Sequence, residues 1–350
     1  MRIRIGGKIL GEGEPCFIVA EAGINHNGDI NIAKQMIDVA KNCGVDAIKF
    51  QTFTARNFVR DEKQQYEYQT QGKRVKESML KMFERHEFKQ EEWAEIASYC
   101  KCKEIVFFST PQDVENLDLL LTIGIPAIKI GSDDLINLPL LEEYSKIGLP
   151  IIISTGMAYE SEIADAVKTI EENFREIAIL HCVSSYPADL RDLNMRKIAS
   201  LIKEYPDHVI GFSDHSEGTL AATISIALGA KIFEKHFTLD KNMYGPDHRF
   251  SADPDELRTL VKEIRKVESA LGSPMLEPNT NEKNMRKQCH RSIVAAKDIQ
   301  KDEVLTEDHL AMKRPGTGLS PKHYFALIGK KAKKQIKKGE LLYFEHVKMG

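Results

Sequence analysis

The chain has 350 residues, of which 42% are hydrophobic and 29% are charged, and its formal net charge is -3. This balance is typical of a globular protein and excludes a dedicated nucleic-acid binder, whose surface needs a strong excess of positive charge. No apolar run is long enough to span a bilayer, and residues 1–10 lack the apolar core of a signal peptide. The six cysteines are scattered, as in reduced thiols, so we expect a cytoplasmic protein.

Short apolar runs alternate with helical patterns from Cys16 to Leu271. The runs are typical of buried strands, and the segments between them carry helix signals, such as the predicted cap Asp29 and the terminating Gly44. Regular alternation predicts a parallel sheet, and eight strand–helix units predict a (β/α)8 TIM barrel rather than an open sheet. The predicted strands cover residues 16–20, 47–52, 105–110, 127–132, 151–156, 177–184, 209–212 and 231–233.

Two segments do not follow the alternation of strands and helices. Residues 61–76 are polar and are predicted as a long loop or irregular helix over one end of the fold, since loops of this length often act as lids. The tail is predicted to be separate from the barrel, which covers residues 1–272. A proline-containing linker at 273–288 leads to a small β-rich module at 289–350.

Each predicted barrel strand begins with apolar residues and ends with polar ones. Active sites of such barrels lie at the C-terminal strand ends. An unpaired polar group in a barrel wall costs about 1–3 kcal/mol, so eight polar ends predict an active site in the barrel mouth. The polar residues are Glu21 and Asn25, Lys49 and Gln51, Ser109 and Thr110, Lys129 and Ser132, Ser154 and Thr155, Ser184 and Tyr186, Ser213 and His215, and Glu234 and His236.

Two cations, Lys49 and Lys129, are predicted on the barrel strands, where a buried positive charge needs an anionic partner. Together with nearby hydroxyl groups they form a set suited to binding a phosphate or a carboxylate. Alternatively, each lysine pairs with a neighbouring acid such as Glu234. The hydroxyl groups belong to Thr110, Ser132, Ser154, Ser184 and Ser213.

Two histidines, His215 and His236, stand at matching ends of neighbouring predicted strands. Both side chains could bind one metal ion and leave positions open for substrate and water; the alternative is that each is an ordinary core histidine. A bound metal would polarise a carbonyl group, and Glu21 and Asp247 are candidates for proton transfer or for accepting sugar hydroxyls. The pattern indicates a metal-assisted barrel enzyme that acts on a phosphorylated or carboxylated small molecule beside a polyol.

Motifs along essentially the whole chain resemble those of one family. They are residues 20–28, 49–52, 109–111, 154–157, 181–182, 186–187, 213–215, 234–240, 245–248 and 313–316. Together they resemble the sialic acid synthase family, whose members join a barrel that condenses phosphoenolpyruvate (PEP) to a C-terminal antifreeze-like (SAF) module. The resemblance implies that PEP, an N-acetylmannosamine-type sugar and water give a nine-carbon 2-keto acid and phosphate. It also implies that PEP contacts Lys49, Thr110, Lys129, Ser132, Ser154, Ser184 and Ser213.

The same resemblance assigns catalytic roles to Glu21, His215 and His236. The two histidines are expected to hold a divalent ion, with manganese preferred over magnesium or cobalt, and Glu21 is the expected proton-transfer group. Gln51, Tyr186 and Asp247 match sugar-contacting positions. Family members form homodimers with exchanged tails.

The resemblance further implies that Arg314 reaches the site of the partner chain and grips the N-acetyl group. Three departures from the family pattern lie near the substrates, at residues 131–134, Ser184 and Gln288. They leave open whether the acceptor is N-acetylmannosamine or 2,4-diacetamido-2,4,6-trideoxymannose, the precursor of legionaminic acid. Two other classes also stay open, a metal-dependent pyruvate aldolase and a catalytically silent barrel that binds sugar phosphates.

Overall fold

The computed structural model describes residues 2–348 and divides them into a unit that ends at Gly272 and a unit that begins at Ser273. The strands are β1 (Arg2–Ile5), β2 (Lys8–Gly11), β3 (Phe17–Gly23), β4 (Ala47–Thr52), β5 (Gln65–Thr70), β6 (Lys73–Ser78), β7 (Val106–Pro111), β8 (Ile128–Ile130), β9 (Ile151–Ser154), β10 (Ile177–Cys182), β11 (Val209–Asp214), β12 (Ile232–His236), β13 (Ser292–Ala295), β14 (Leu310–Lys313), β15 (Lys331–Ala332) and β16 (Val347–Lys348). The α-helices are α1 (Ile30–Cys43), α2 (Ala55–Phe58), α3 (Met79–Glu84), α4 (Gln90–Cys102), α5 (Val114–Ile123), α6 (Leu138–Ser145), α7 (Glu160–Glu171), α8 (Lys197–Glu204), α9 (Leu220–Ala227), α10 (Pro254–Leu271), α11 (Thr280–Cys289) and α12 (Tyr324–Leu327). Within these residues, no helix combines the length and apolar composition that a membrane span requires.

Eight parallel strands close into a barrel in the order β3, β4, β7, β8, β9, β10, β11 and β12. The closing pair is β12 with β3, which sets His236 opposite Glu21. Helix α1 shows how the outer layer forms, because Asp29 caps its start and Gly44 ends it in the left-handed conformation. The predicted (β/α)8 barrel is therefore confirmed.

The N-terminal end of the barrel is closed by the antiparallel hairpin β1–β2, which the strand–helix rhythm did not predict. Ile3, Ile5 and Leu10 of this hairpin are buried in one apolar cluster with the first residues of the barrel strands, such as Phe17 and Ile232. The barrel interior is consequently apolar at this end, and its polar residues lie at the opposite one.

The prediction of a long loop or irregular helix over residues 61–76 is wrong. Strands β5 and β6 pair there as an antiparallel hairpin. Tyr66 and Tyr68 are more buried than the residues beside them, which is the two-residue period of a strand. Gln71 and Gly72 at the turn both have positive φ, as a two-residue type I′ turn requires.

The C-terminal unit has its own apolar core, which includes Ile293 and Ile336, and the antiparallel pair β13–β14. This agrees with the predicted small β-rich module. The stretch predicted as a linker, residues 273–288, includes most of helix α11. The sequence signal for this helix is a capping box, in which Asn279 accepts from Glu282 N and the Glu282 carboxylate accepts from Asn279 N.

Candidate active site

Most polar residues at the strand ends meet in the barrel mouth, around two adjacent cavities, whereas the predicted Asn25, Ser109 and Thr155 line neither cavity and bond to buried groups elsewhere. The first, which we call the lysine cavity, has a volume of about 340 Å³. The second, the tyrosine cavity, has a volume of about 730 Å³ and includes Asp247. It shares Gln51, Phe83, Ser184, Tyr186 and His236 with the first. Twelve predicted site residues line the lysine cavity, namely Glu21, Lys49, Gln51, Thr110, Lys129, Ser132, Ser154, Ser184, Tyr186, Ser213, His215 and His236.

The two buried lysines of the lysine cavity differ in their partners. Lys49 Nζ lies 2.9 Å from Glu21 Oε2 and 3.8 Å from Glu234 Oε2, so pairing with neighbouring acids does occur for this lysine. Lys129 Nζ instead donates to Ser154 Oγ at 2.7 Å and to a backbone carbonyl. No carboxylate of residues 2–348 lies within 4.0 Å of it. Burial lowers the pKa of Lys129 although Glu234 acts in the opposite direction, so an anionic ligand in this cavity would stabilise the buried ammonium.

The two glutamates of the lysine cavity have pKa values that are pushed apart. Burial raises the pKa of Glu21 to about 7, although Lys49 acts in the opposite direction. Burial alone would also raise the pKa of Glu234, but Lys129 and Lys49 outweigh it and hold this pKa below its usual value. Glu234 therefore carries the negative charge, while Glu21 is able to exchange a proton near neutral pH.

The hydroxyl groups of Ser132 and Ser184 form a cradle around the backbone of Gly156. Gly156 N donates to Ser132 Oγ at 3.0 Å. A Cβ atom added to Gly156 would lie 2.3 Å from Ser184 Oγ and 2.7 Å from Ser132 Oγ, so any larger residue would obstruct both hydroxyls. Because no side chain covers them, these hydroxyls and strand-end amides can donate hydrogen bonds to the oxygen atoms of an anion.

The two predicted metal-binding histidines lie side by side, with ring centroids 5.4 Å apart. His215 Nδ1 lies 2.8 Å from the carbonyl oxygen of Val183, and because a carbonyl only accepts, Nδ1 donates; in the neutral ring this leaves the lone pair on Nε2. His236 Nδ1 is buried without a hydrogen-bond partner and lies 3.9 Å from Asp247 Oδ2.

The two rings differ in protonation. Burial acts to lower the pKa of His215, but the nearby Cys182 outweighs it and raises this pKa. Burial, followed by the proximity of His215, holds the pKa of His236 well below its usual value, so the ring is neutral. No group of three or more His, Cys, Asp and Glu residues within 2–348 has a metal-binding arrangement. The pair would thus supply two ligands to a divalent ion and leave the other positions to substrate and water.

Sequence reasoning missed several residues that line the tyrosine cavity. Tyr66 and Arg74 come from the β5–β6 hairpin, and Arg249 and Phe250 follow Asp247. The ring of Tyr186 packs between Phe250 and the imidazole of His215, at centroid distances of 5.2 and 4.2 Å. The alternation of tyrosines in β5 was the signal that could have revealed this wall. Of the predicted site residues, Arg314 lies in the C-terminal unit, and its role stays a prediction.

Residues 36–275 match the model of the NeuB family, and residues 290–348 match that of the SAF domain. The chain belongs to the NeuB family. It is similar to N,N'-diacetyllegionaminic acid synthase of Campylobacter jejuni, with 39% identity over 93% of this chain and 98% of the relative. It is also similar to N-acetylneuraminate-9-phosphate synthase of Homo sapiens, with 35% identity over 97% of this chain and 95% of the relative.

Among solved structures, N-acetylneuraminic acid synthetase from Leptospira borgpetersenii superposes with a TM-score of 0.75 and 37% identity, covering 81% of this chain and 95% of that one. Membership of the NeuB family makes the chain a transferase of the nonulosonic acid synthase class, which condenses PEP with a sugar. The resemblance inferred from the motifs is confirmed. The relatives are named for different nonulosonic acids. Sequence similarity therefore identifies the reaction class but leaves the acceptor sugar open.

Proposed function

We propose that this NeuB-family enzyme is an N-acetylneuraminate synthase, which condenses PEP with N-acetylmannosamine and water to give N-acetylneuraminate and phosphate. The observation that carries the proposal is the lysine cavity, where Lys129 is buried without a carboxylate partner beside a ring of hydroxyl groups. PEP brings a phosphate and a carboxylate, and the two lysines supply the matching positive charge.

The proposed reaction forms one carbon–carbon bond and one carbon–oxygen bond to water, and it breaks the carbon–oxygen bond between C2 of PEP and the phosphate. C3 of PEP attacks the aldehyde carbon of the sugar, water adds at C2, and phosphate leaves with its bridging oxygen. A divalent ion, which we expect to be manganese held by His215 and His236, would supply Lewis-acid polarisation of the aldehyde when bound. Glu21 is the proposed proton-transfer group, because its carboxyl lies 2.9 Å from Lys49 Nζ and exchanges a proton near neutral pH.

The tyrosine cavity is the proposed binding site for the acceptor. Asp247 and Gln51 offer polar contacts to sugar hydroxyls, and Tyr186 offers an aromatic face. A second acceptor, 2,4-diacetamido-2,4,6-trideoxymannose, is favoured by the aromatic wall of Tyr66, Tyr186 and Phe250, which suits a 6-methyl group. The similarity to a legionaminic acid synthase supports the same alternative.

The first experiment measures phosphate released from PEP, with manganese or with EDTA. The panel contains N-acetylmannosamine, its 6-phosphate and 2,4-diacetamido-2,4,6-trideoxymannose. We expect manganese-dependent release with N-acetylmannosamine. Release only with the diacetamido sugar would show that this sugar, and not N-acetylmannosamine, is the acceptor. PEP binding without release in any sample would contradict the proposed synthase, and sugar-dependent consumption of pyruvate without phosphate release would indicate an aldolase.

We also propose that the enzyme is a homodimer in which Arg314 of one chain completes the site of the other. Mixing the variants Lys49→Ala and Arg314→Ala tests this. If Arg314 acts on the partner, each mixed dimer regains one intact site, and random exchange of chains restores about a quarter of wild-type activity. If Arg314 acts within its own chain, the mixture stays as inactive as the separate variants.

A further inference from the structure

A buried ion pair lies immediately before the two histidines of the barrel mouth. Lys235 Nζ donates to Asp214 Oδ2 at 2.8 Å, and the two residues are only 3% and 1% exposed. We propose that Asp214 and Lys235 are positioning residues that hold His215 and His236 at the separation needed to bind one metal ion. This inference rests on the proposed function, and nothing in the reaction itself requires the pair to touch substrate.

The pair is the last rung of the ladder between β11 and β12. Phe212 is opposite Phe233, Ser213 is opposite Glu234, and Asp214 is opposite Lys235. Because side chains alternate along a strand, Ser213 and Glu234 point into the barrel mouth while Asp214 and Lys235 point to the other face. Each histidine follows the ion pair by one residue, so any slip between the two strands would change the distance between the imidazoles.

Hydrogen bonds fix the residues before and after His215, which are Asp214 and Ser216. Asp214 Oδ1 accepts hydrogen bonds from Ser216 N at 2.8 Å and from Ser216 Oγ at 2.7 Å, and Lys235 Nζ also contacts the carbonyl oxygen of Ser216. One carboxylate and one ammonium group therefore bracket His215. The carbonyl oxygen of His215 itself accepts from Ala188 N at 2.9 Å.

The segment around His236 has fewer side-chain constraints. Its carbonyl oxygen accepts from Ala252 N at 2.8 Å, and its imidazole Nδ1 has no hydrogen-bond partner. The ring packs on Phe250, and its position depends further on where β12 is held. Two side-chain contacts tie that strand end to β11, Ser213 with Glu234 and, next to the histidine, Asp214 with Lys235. A metal ion tolerates only a small error in ligand position, about 0.5 Å for a functional site.

An ionic pair at this place suits positioning better than stabilisation. Well-packed apolar side chains often stabilise a buried position at least as well as an ion pair, because the charges lose their hydration. Apolar contacts are not directional, whereas the contacts of Lys235 with the Asp214 carboxylate and with the Ser216 carbonyl define both distance and direction. The outer face of the strands therefore carries charges where their geometry controls the adjacent histidines.

The experiment uses the double variant Asp214→Asn/Lys235→Met in the full chain. The asparagine side chain is not charged but keeps an oxygen acceptor for Ser216, and removal of both charges avoids an unpaired buried ion that would unfold the protein. The matched control is Thr52→Val/Ser109→Ala, which removes another buried cross-strand contact, a 2.7 Å hydroxyl pair between β4 and β7. Binding of Mn²⁺ is measured by electron paramagnetic resonance of the free ion, and binding of PEP is measured without metal.

We expect the Kd for Mn²⁺ to rise about 10- to 100-fold in the Asp214/Lys235 double variant, as for other residues that orient metal ligands. The control should keep the wild-type Kd for Mn²⁺, and both proteins should bind PEP as the wild type does. An unchanged Mn²⁺ affinity in the double variant would overturn the positioning role alone. Absence of Mn²⁺ binding by the wild-type protein would overturn the proposed metal site and this role with it.

Discussion

The two ends of the barrel are built from the same eight strands and have opposite chemistry. At the N-terminal end, hairpin β1–β2 and the first strand residues form an apolar cluster. At the C-terminal end, ionisable groups that include Glu21, Lys49, Lys129, Glu234 and His236 are buried around one cavity. The difference shows that one end stabilises the fold, while the other holds charges that favour ligands at the expense of stability.

Substitution of Lys129 by methionine should produce the largest effect and should move stability and function in opposite directions. Burial lowers the pKa of the Lys129 ammonium in spite of the attraction of Glu234, so removal of this charge relieves a desolvation cost and should stabilise the fold by about 1–3 kcal/mol. The same change removes a charge that binds PEP, and the Kd for PEP should rise about 100- to 1,000-fold. Urea unfolding and isothermal titration calorimetry measure the two quantities.

A loss of stability in Lys129→Met would contradict the idea that this cation is present for a ligand. The matched variant is Lys49→Met, because Lys49 has carboxylate partners at 2.9 and 3.8 Å. Its removal leaves buried carboxyl groups without their cation, so this variant should be less stable than the wild type.

The opposite pattern is expected at the N-terminal end. Leu10→Ala leaves a cavity beneath the barrel and should lower the free energy of unfolding by about 2–4 kcal/mol, while kcat is retained at temperatures where the variant is folded. The control Ile9→Ala changes a neighbour that is 40% exposed and should alter stability by less than about 0.5 kcal/mol. A reduced kcat in folded Leu10→Ala protein would show that the two ends are coupled.

The smallest predicted effect is a loss of folding stability at acidic pH. Burial, followed by the proximity of His86, lowers the pKa of His26 to about 3, from 6.5. The folded state therefore keeps this ring neutral, and stability is lost as pH falls from 6.5 towards the folded value. At about pH 5 the loss due to His26 alone is roughly 2 kcal/mol.

Urea unfolding at several pH values measures this contribution. His26→Gln should lose about 2 kcal/mol less than the wild type when the pH is lowered from about 7.5 to about 5. His290→Gln, which replaces an exposed histidine, should leave the pH dependence unchanged. Equal acid sensitivity in all three proteins would place the acid-labile groups elsewhere in the barrel.

The barrel and most of its site could be predicted from the sequence, because both depend on local patterns. A run such as Ile151–Ser154 is apolar until its last residue, and the closure of parallel strands brings all such ends to one mouth. Lys129 and His236 were therefore predictable as neighbours in space although they are far apart in the chain. The β5–β6 hairpin was not predicted, since its polar composition concealed the alternation of Tyr66 and Tyr68.

The sequence by itself determined the strands and helices of the barrel, the eight-strand count and most of the polar residues that enter the mouth, because side-chain periodicity and strand-end chemistry are local properties. Only the tertiary structure decided which charges are paired. It placed Lys49 against Glu21, left Lys129 without a carboxylate, and joined Asp214 to Lys235 behind the histidines. These choices depend on distances across neighbouring strands, and such distances follow from register and barrel closure rather than from any single stretch of sequence.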